Sequence, residues 1–166
     1  ATIKYARSVE KAAGKDFRFT ITTNALALTD ELIDYFNEEM YNVVLSIDGR
    51  KVVHDDVRKD AAGRGTFDRV LENAMKLVRK RGDKSYYVRG TFTAKNTDFA
   101  KDVLALNDYG FGQVSLEPVV LADGDPLALT DEMTEKLCLQ YELLADEYLK
   151  RRAQGREFGF FHFNID

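Results

Sequence analysis

The segment Asn42-Val43-Val44-Leu45-Ser46-Ile47-Asp48 has the two-residue period of a β-strand: Val43, Leu45 and Ile47 share one side, Asn42, Val44, Ser46 and Asp48 the other. The same two-sidedness recurs three times. Phe17–Thr22 sets Phe17, Phe19 and Ile21 against Arg18, Thr20 and Thr22. Ser85–Thr93 sets Tyr86, Val88 and Phe92 against Tyr87, Arg89, Thr91 and Thr93. Gln113–Val120 sets Val114, Leu116 and Pro118 against Gln113, Ser115, Glu117 and Val119. Each strand therefore has one apolar and one largely polar face.

Helical patterns separate these strands. Thr2–Lys15 carries Ile3, Ala6, Val9 and Ala13 on one face, with Gly14 at a C-cap position. Thr29 is placed to cap a helix whose first turn holds Asp30 and Glu31, where acids favour the helix dipole. Residues 49–65 read as a polar connection, after which Thr66 caps a helix lined by Phe67, Val70, Leu71, Ala74, Leu77 and Val78. Thr97–Tyr109 and Thr130–Arg152 supply the next two helices, and Phe158–Asp166 is an aromatic, strand-like tail. Strict alternation of helix and strand implies a parallel sheet with helical crossovers.

A parallel sheet buried on both faces has strands that are apolar throughout. These are not, and burying an unpaired polar group costs about 1–3 kcal/mol. The reading that follows is a sheet curved around a wet cavity, a partial (β/α) barrel of about four strands. Ligands then gather at the C-terminal strand ends: Thr22-Thr23-Asn24, Ser46-Ile47-Asp48-Gly49, Thr91-Phe92-Thr93 and Glu117-Pro118. Three alternatives stay open. One is a solvated polar face with ordinary cross-strand pairs. Another is a flavodoxin-like α/β binding module with its ligand at a switch point. The third is a phosphate-binding barrel piece, using Gly63-Arg64-Gly65-Thr66.

The composition bounds the function. The 166 residues hold 24 Lys+Arg and 28 Asp+Glu, a net charge of −4, with 45% hydrophobic residues. That suits one globular domain, and argues against wholesale disorder and against a dedicated nucleic-acid binder. No apolar run reaches the about 20 residues of a membrane span and no signal peptide leads the chain, so the expected place is the cytoplasm. The single cysteine, Cys138, excludes an internal disulfide and any cluster held by several thiolates of this chain. It falls on the apolar side of its helix, a core position.

The strand ends carry a resemblance. Thr22-Thr23-Asn24-Ala25, Leu45-Ser46-Ile47-Asp48-Gly49, His54-Asp55 with Arg58, Gly63-Arg64-Gly65-Thr66-Phe67 and Asn73 follow one another with matching spacing. This succession resembles radical S-adenosylmethionine (SAM) enzymes that carry a SPASM domain and mature peptides or sulfatases. The family pattern is a TNG-type strand end, SxDG, HD-x-x-R, G-x-G-S/T-F/Y and a later Asn. Ala25 departs from it, standing where the family commonly has Gly. Val88-Arg89-Gly90-Thr91-Phe92-Thr93 and Ser115-Leu116-Glu117-Pro118-Val119-Val120 look most like maturases that form thioether cross-links in SCIFF peptides.

The resemblance implies an α/β partial barrel of the radical SAM type, truncated at both ends. Residues 1–153 would be its central part, and 154–166 a tail leading toward a missing SPASM-type domain. The parent would use SAM and a 4Fe–4S cluster to generate a 5′-deoxyadenosyl radical and modify a peptide substrate. The family's C-x3-C-x2-C loop, its GGEP-type motif and the SPASM cysteines are not in this sequence, so neither cofactor is expected bound to this segment and it is expected to be inactive alone.

The resemblance gives Ser46 the SAM ribose and Arg58 the SAM carboxylate, which a guanidinium fork matches. Asp48 would orient that site or form an Asx turn; Asn24 would reach the cofactor or shape the turn leading into the next helix. Arg89 and Glu117 would contact SAM or peptide, or pair with each other. His54 and His162 have no metal-ligand company, His54 being placed in a polar loop. With no strand preceding it, Phe17–Thr22 would be an exposed edge open to dimerisation.

Overall fold

The computed structural model describes residues 2–122 and 124–164. Among the described residues six α-helices and five strands follow one another: α1 (Thr2–Ala13), β1 (Phe19–Thr23), α2 (Asp30–Glu39), β2 (Met40–Ser46), α3 (Lys51–Val57), α4 (Phe67–Arg81), β3 (Tyr86–Phe92), α5 (Ala100–Asp108), β4 (Gln113–Pro118), α6 (Thr134–Ala153) and β5 (Gly159–Phe160). Short 3-10 turns precede α5 and α6, and one follows β5. No helix among the described residues is long and apolar enough to cross a membrane.

All strand pairings are parallel and the spatial order is β1-β2-β3-β4-β5. That order selects among the alternatives. A parallel crossover is right-handed in nearly all cases, so a sheet growing in one direction carries every crossover helix on one face. A flavodoxin-like sheet reverses direction and is covered on both faces; this one has no reversal. The helix-bearing face holds the core: Val43 and Leu45 of β2, Val88 and Phe92 of β3, and Val114 and Leu116 of β4 lie under Ile33 of α2, Ala74 and Leu77 of α4, Val103 and Leu106 of α5 and Leu144 of α6. Each Val, Leu, Ile or Phe among them contributes about 1.5–3 kcal/mol on burial. On the opposite face Thr20, Thr22, Arg89 and Gln113 are exposed. Val44 and Ser115 are buried there, Val44 flanked across the register by Thr22 and Tyr87. The fold is thus the partial barrel expected from the two-sided strands, with a fifth strand supplied by the tail.

Several local expectations hold. Thr29 caps α2, its hydroxyl accepting from Leu32 N. Gly14 follows α1 with φ +59°. Others need correction. Residues 51–57 form helix α3, not a loop, so His54 is a helical residue and is fully buried. Thr66 does not cap α4: its hydroxyl donates to Arg58 O, and Asp55 of α3 accepts from Phe67 N instead. Cys138 is exposed. The buried stripe of α6 runs through Leu137, Tyr141, Leu144 and Tyr148, while Leu139 and Leu143 face solvent beside Cys138. In the tail only Gly159–Phe160 is strand, followed by a 3-10 turn over Phe161–Phe163; Ile165 and Asp166 lie outside the described residues.

Candidate functional site

The C-terminal end of β2 leads into Ile47-Asp48-Gly49, and the polar groups there are tied to three neighbours. Asp48 is 2% exposed. Its Oδ2 accepts from Arg58 Nε at 2.5 Å, and its Oδ1 from Arg58 Nη2 at 3.0 Å and Thr91 N at 3.0 Å. One buried carboxylate thus joins β2, the end of α3 and β3. It is neither an Asx turn nor a free ligand group. The Arg58 fork, expected to face a bound carboxylate, is engaged by Asp48 through two nitrogens. Among the described residues its third, Nη1, has no protein partner.

His54 lies beneath this pair. Its Nδ1 accepts from Asp48 N at 3.4 Å and its Nε2 lies 3.2 Å from Thr66 Oγ1. The Thr66 hydroxyl proton goes to Arg58 O, so Nε2 must carry the imidazole proton and donate to Thr66. Burial pushes the His54 pKa below its ordinary value, the Asp48 charge opposing and the Arg58 charge assisting. His54 is therefore a neutral structural link.

A second network sits one residue on. Arg50 donates from Nε to Asp102 Oδ1 at 2.7 Å and from Nη2 to Asp98 Oδ1 at 2.7 Å, and its backbone N also reaches Asp102 Oδ1. Asn96 completes it, donating to Asp102 and accepting from Thr93 N. Hydrogen bonding from Asp102, against the opposing cost of burial, raises the Arg50 pKa; hydrogen bonding from Arg50 lowers that of Asp98. Gly49 makes this approach possible: its φ is +111° and a Cβ there would stand 2.3 Å from Asp102 Cβ. The Gly of the Ser46–Gly49 motif is thus a packing requirement of the strand end. Sequence reasoning missed this network. The available signal was Asp98 and Asp102 one helical turn apart, with Arg50 directly after the Gly.

The six predicted site residues divide by position. Asn24 is exposed just past β1, and its Oδ1 accepts from Leu26 N, the turn-forming role. With Arg58, His54 and Thr66 it lines a small cavity of about 200 Å³. Ser46 is half-buried at the end of β2, in register with Arg89. Its hydroxyl has no protein partner among the described residues. Since β1 ends at Thr23 opposite Leu45, Asn24 and Ser46 stand at adjacent strand ends. Arg89 and Glu117 line a larger cavity of about 730 Å³ that runs over the polar face from the loop before β3.

They do not form a salt bridge with each other. Ser115 Oγ donates to Glu117 Oε1, and the other carboxylate oxygen lies 2.9 Å from His162 Nε2. Burial raises the Glu117 pKa, but the hydrogen bonds from Ser115 and His162 outweigh it and leave it below the ordinary value. His162, with no role assigned from sequence, is held at Nδ1 by the Tyr141 hydroxyl and pins the tail to β4. The Gly63–Thr66 segment is not a phosphate cradle: Asp60 Oδ1 already accepts from Ala62 N and Arg64 N.

The donor set can be tested against the implied cofactors. Among the described residues no three His, Cys, Asp or Glu side chains are grouped as metal ligands, and there is one cysteine. An iron–sulfur cluster does not fit this chain's own residues. The open hydroxyl of Ser46, the Asn24 amide and the free Arg58 nitrogen do suit the edge of an adenosyl amino acid, which needs both donors and acceptors.

Comparisons with known proteins agree with this geometry. No family model matches the chain. The serine-type anaerobic sulfatase-maturating enzyme of Bacteroides thetaiotaomicron is 37% identical over 79 residues, 48% of this chain and 17% of that protein. The cysteine-type enzyme of Clostridium novyi is 33% identical over 61 residues, 37% of this chain and 16% of that protein. The solved structure of anSMEcpe with bound AdoMet superposes with a TM-score of 0.81 at 18% identity, covering 97% of this chain and 44% of that one. The same protein with AdoMet and the Kp18Cys peptide also gives 0.81. The matches thus span about a sixth of each curated relative, and the chain covers under half of the solved structure. The chain is homologous over part of its length to anaerobic sulfatase-maturating enzymes, and its fold is the partial barrel of radical SAM proteins.

Proposed function

We propose that this chain is the central wall of a radical SAM enzyme that modifies a peptide. Residues 1–153 contribute strands and helices of the barrel, and 154–166 lead toward a SPASM-type domain. One observation carries the reading: a sequentially ordered parallel sheet whose polar face leaves Thr20, Thr22, Arg89 and Gln113 exposed, with Asn24 and Ser46 at adjacent strand ends. SAM together with a reduced 4Fe–4S cluster supplies a 5′-deoxyadenosyl radical when both are bound, and the cofactor carries that step.

The residues of this chain bind and position. Ser46 donates to and accepts from the ribose edge. Arg58 offers Nη1 to the SAM carboxylate while Asp48 holds the rest of the guanidinium fixed. Asn24 closes the rim through its amide nitrogen. Arg89 and Glu117 face the peptide side of the cavity. Thioether formation, as in maturases of SCIFF peptides, is the reaction we assign to the parent, on the Val88–Thr93 and Ser115–Val120 segments. The cytoplasm is the compartment that suits it.

The test is turnover by the full reading frame, reconstituted anaerobically with iron and sulfide and reduced. Formation of 5′-deoxyadenosine from SAM supports the proposal. A protein that takes up a cluster yet leaves SAM intact contradicts it. The 166-residue chain alone, treated identically, is expected to give no stoichiometric cluster signal in electron paramagnetic resonance.

A further inference from the structure

Arg89 is the arginine of the sheet that the fold leaves without a carboxylate. It projects from the middle of β3 onto the polar face and is exposed. Among the described residues it makes no ion pair and no side-chain hydrogen bond. The default partner is close: Arg89 is in register with Ser115, and Glu117 lies two residues further along β4 on the same face. That diagonal pair does not form, because Glu117 is taken on one oxygen by the Ser115 hydroxyl and on the other by His162 of the tail. Tyr141 in turn fixes His162 from its other nitrogen. Three side chains, Ser115, His162 and Tyr141, thus hold the neighbouring carboxylate, and Arg89 acts on it only through its charge, without a direct bond.

The space in front of Arg89 is the cavity of about 730 Å³. Its wall offers side-chain amides from Asn42 and Gln113, the Tyr87 ring, and Phe161 of the tail, which is 64% exposed. Amide side chains pair with peptide groups, being both donor and acceptor. An uncommitted guanidinium matches a carboxylate through two nitrogens. The Glu117 carboxylate on the same wall disfavours a second anion beside it, so the site suits one acidic group.

We propose that Arg89 anchors a single acidic side chain of a peptide bound along the polar face, so that the substrate class is a peptide with Asp or Glu close to the residue that is modified. The proposal rests on the peptide-modifying function given above. A free small carboxylate shares the chemistry, and the test separates the two sources.

The test uses a fluorescein-labelled octapeptide with one central Glu, its Gln twin, and glutarate, titrated against the 166-residue chain by anisotropy. The Glu peptide is expected to bind at least tenfold tighter than the Gln twin. Arg89→Met should abolish that preference, Arg89→Lys should retain part of it, and 0.5 M salt should weaken it. Arg89 is exposed, so both variants are expected to melt with the wild type.

Equal affinity for the twins, undetectable binding of both, or a preference that survives Arg89→Met overturns the proposal. Glutarate displacing the Glu peptide at a concentration equal to the peptide's own dissociation constant also overturns it, assigning the site to free carboxylates. Release of 5′-deoxyadenosine by the full reading frame is read separately. Radical formation without acid preference defeats this inference alone, and acid preference without radical formation defeats the functional reading alone.

Discussion

Arg58 and Asp48 form a two-point ion pair at the C-terminal rim of the sheet, with nitrogen–oxygen distances of 2.5 and 3.0 Å, and Asp48 also receives Thr91 N. The Arg58 guanidinium is thus already positioned by the acid ten residues before it. Removing Asp48 leaves Thr91 N and a partly buried guanidinium unpaired. Asp48→Ala is expected to cost about 3 kcal/mol of folding stability, measured by urea unfolding. Arg58→Ala is expected to cost a similar amount, since it strands a buried carboxylate. A loss below about 0.5 kcal/mol for both would mean the pair is a surface contact.

The buried neutral imidazole of His54 makes stability depend on pH. Its folded pKa lies below the unfolded value of about 6.5, so its contribution is full above that value and is lost as the pH falls through it toward the folded pKa. His54→Asn keeps an acceptor for Asp48 N and removes the titration. Comparing unfolding midpoints of the two proteins at pH 7.5, 6 and 5, the wild type is expected to lose stability more steeply than the variant. Parallel slopes would place the charged imidazole in the folded state.

Ala25 is a non-glycine residue with positive φ, +57°, and it is fully buried with its carbonyl accepting from Asn73 Nδ2. Ala25→Gly relieves about 1 kcal/mol of left-handed strain and loses a buried methyl of similar worth, so the melting temperature should barely move. A β-branched side chain tolerates this conformation far worse, and Ala25→Val should destabilise by about 3 kcal/mol or more. A silent Ala25→Val would contradict the backbone geometry. Asn73→Leu removes the tie from α4 and is expected to cost about 1–3 kcal/mol.

Strand β1 pairs with β2 on one side only, so the isolated chain presents an edge. Association of two copies through that edge is expected, with a concentration-dependent mass in light scattering. A sharp monomer across the concentration series would count against it.

The strands were legible because a face that packs on helices must be apolar at every second residue, and Val43/Leu45 and Val88/Phe92 satisfy this. The same periodicity hid α3. Lys51–Val57 buries one side chain fully, and that side chain is a histidine, while Val52 and Val57 face solvent. No apolar stripe marks such a helix. Cys138 escapes its expected core position for the converse reason: α6 carries leucines on its exposed side too, so its pattern does not say which face is buried. Of the site, the strand-end positions Asn24, Ser46 and Asp48 followed from topology. The partners did not. Nothing local in sequence tells that Asp48 meets Arg58 or that His162 returns from the tail to occupy Glu117, and the spacing of Asp98 and Asp102 marks a pair of acids without naming Arg50 as their partner.

The most direct measurement is SAM affinity of the cluster-loaded full reading frame, by calorimetric titration, for the wild type, Ser46→Ala and the surface control Lys76→Ala. If the polar face forms the nucleoside wall, Ser46→Ala weakens SAM binding about tenfold, the worth of one well-placed hydrogen bond, with the melting temperature unchanged and Lys76→Ala silent. Identical SAM affinity in all three proteins would remove the polar face from the cofactor site.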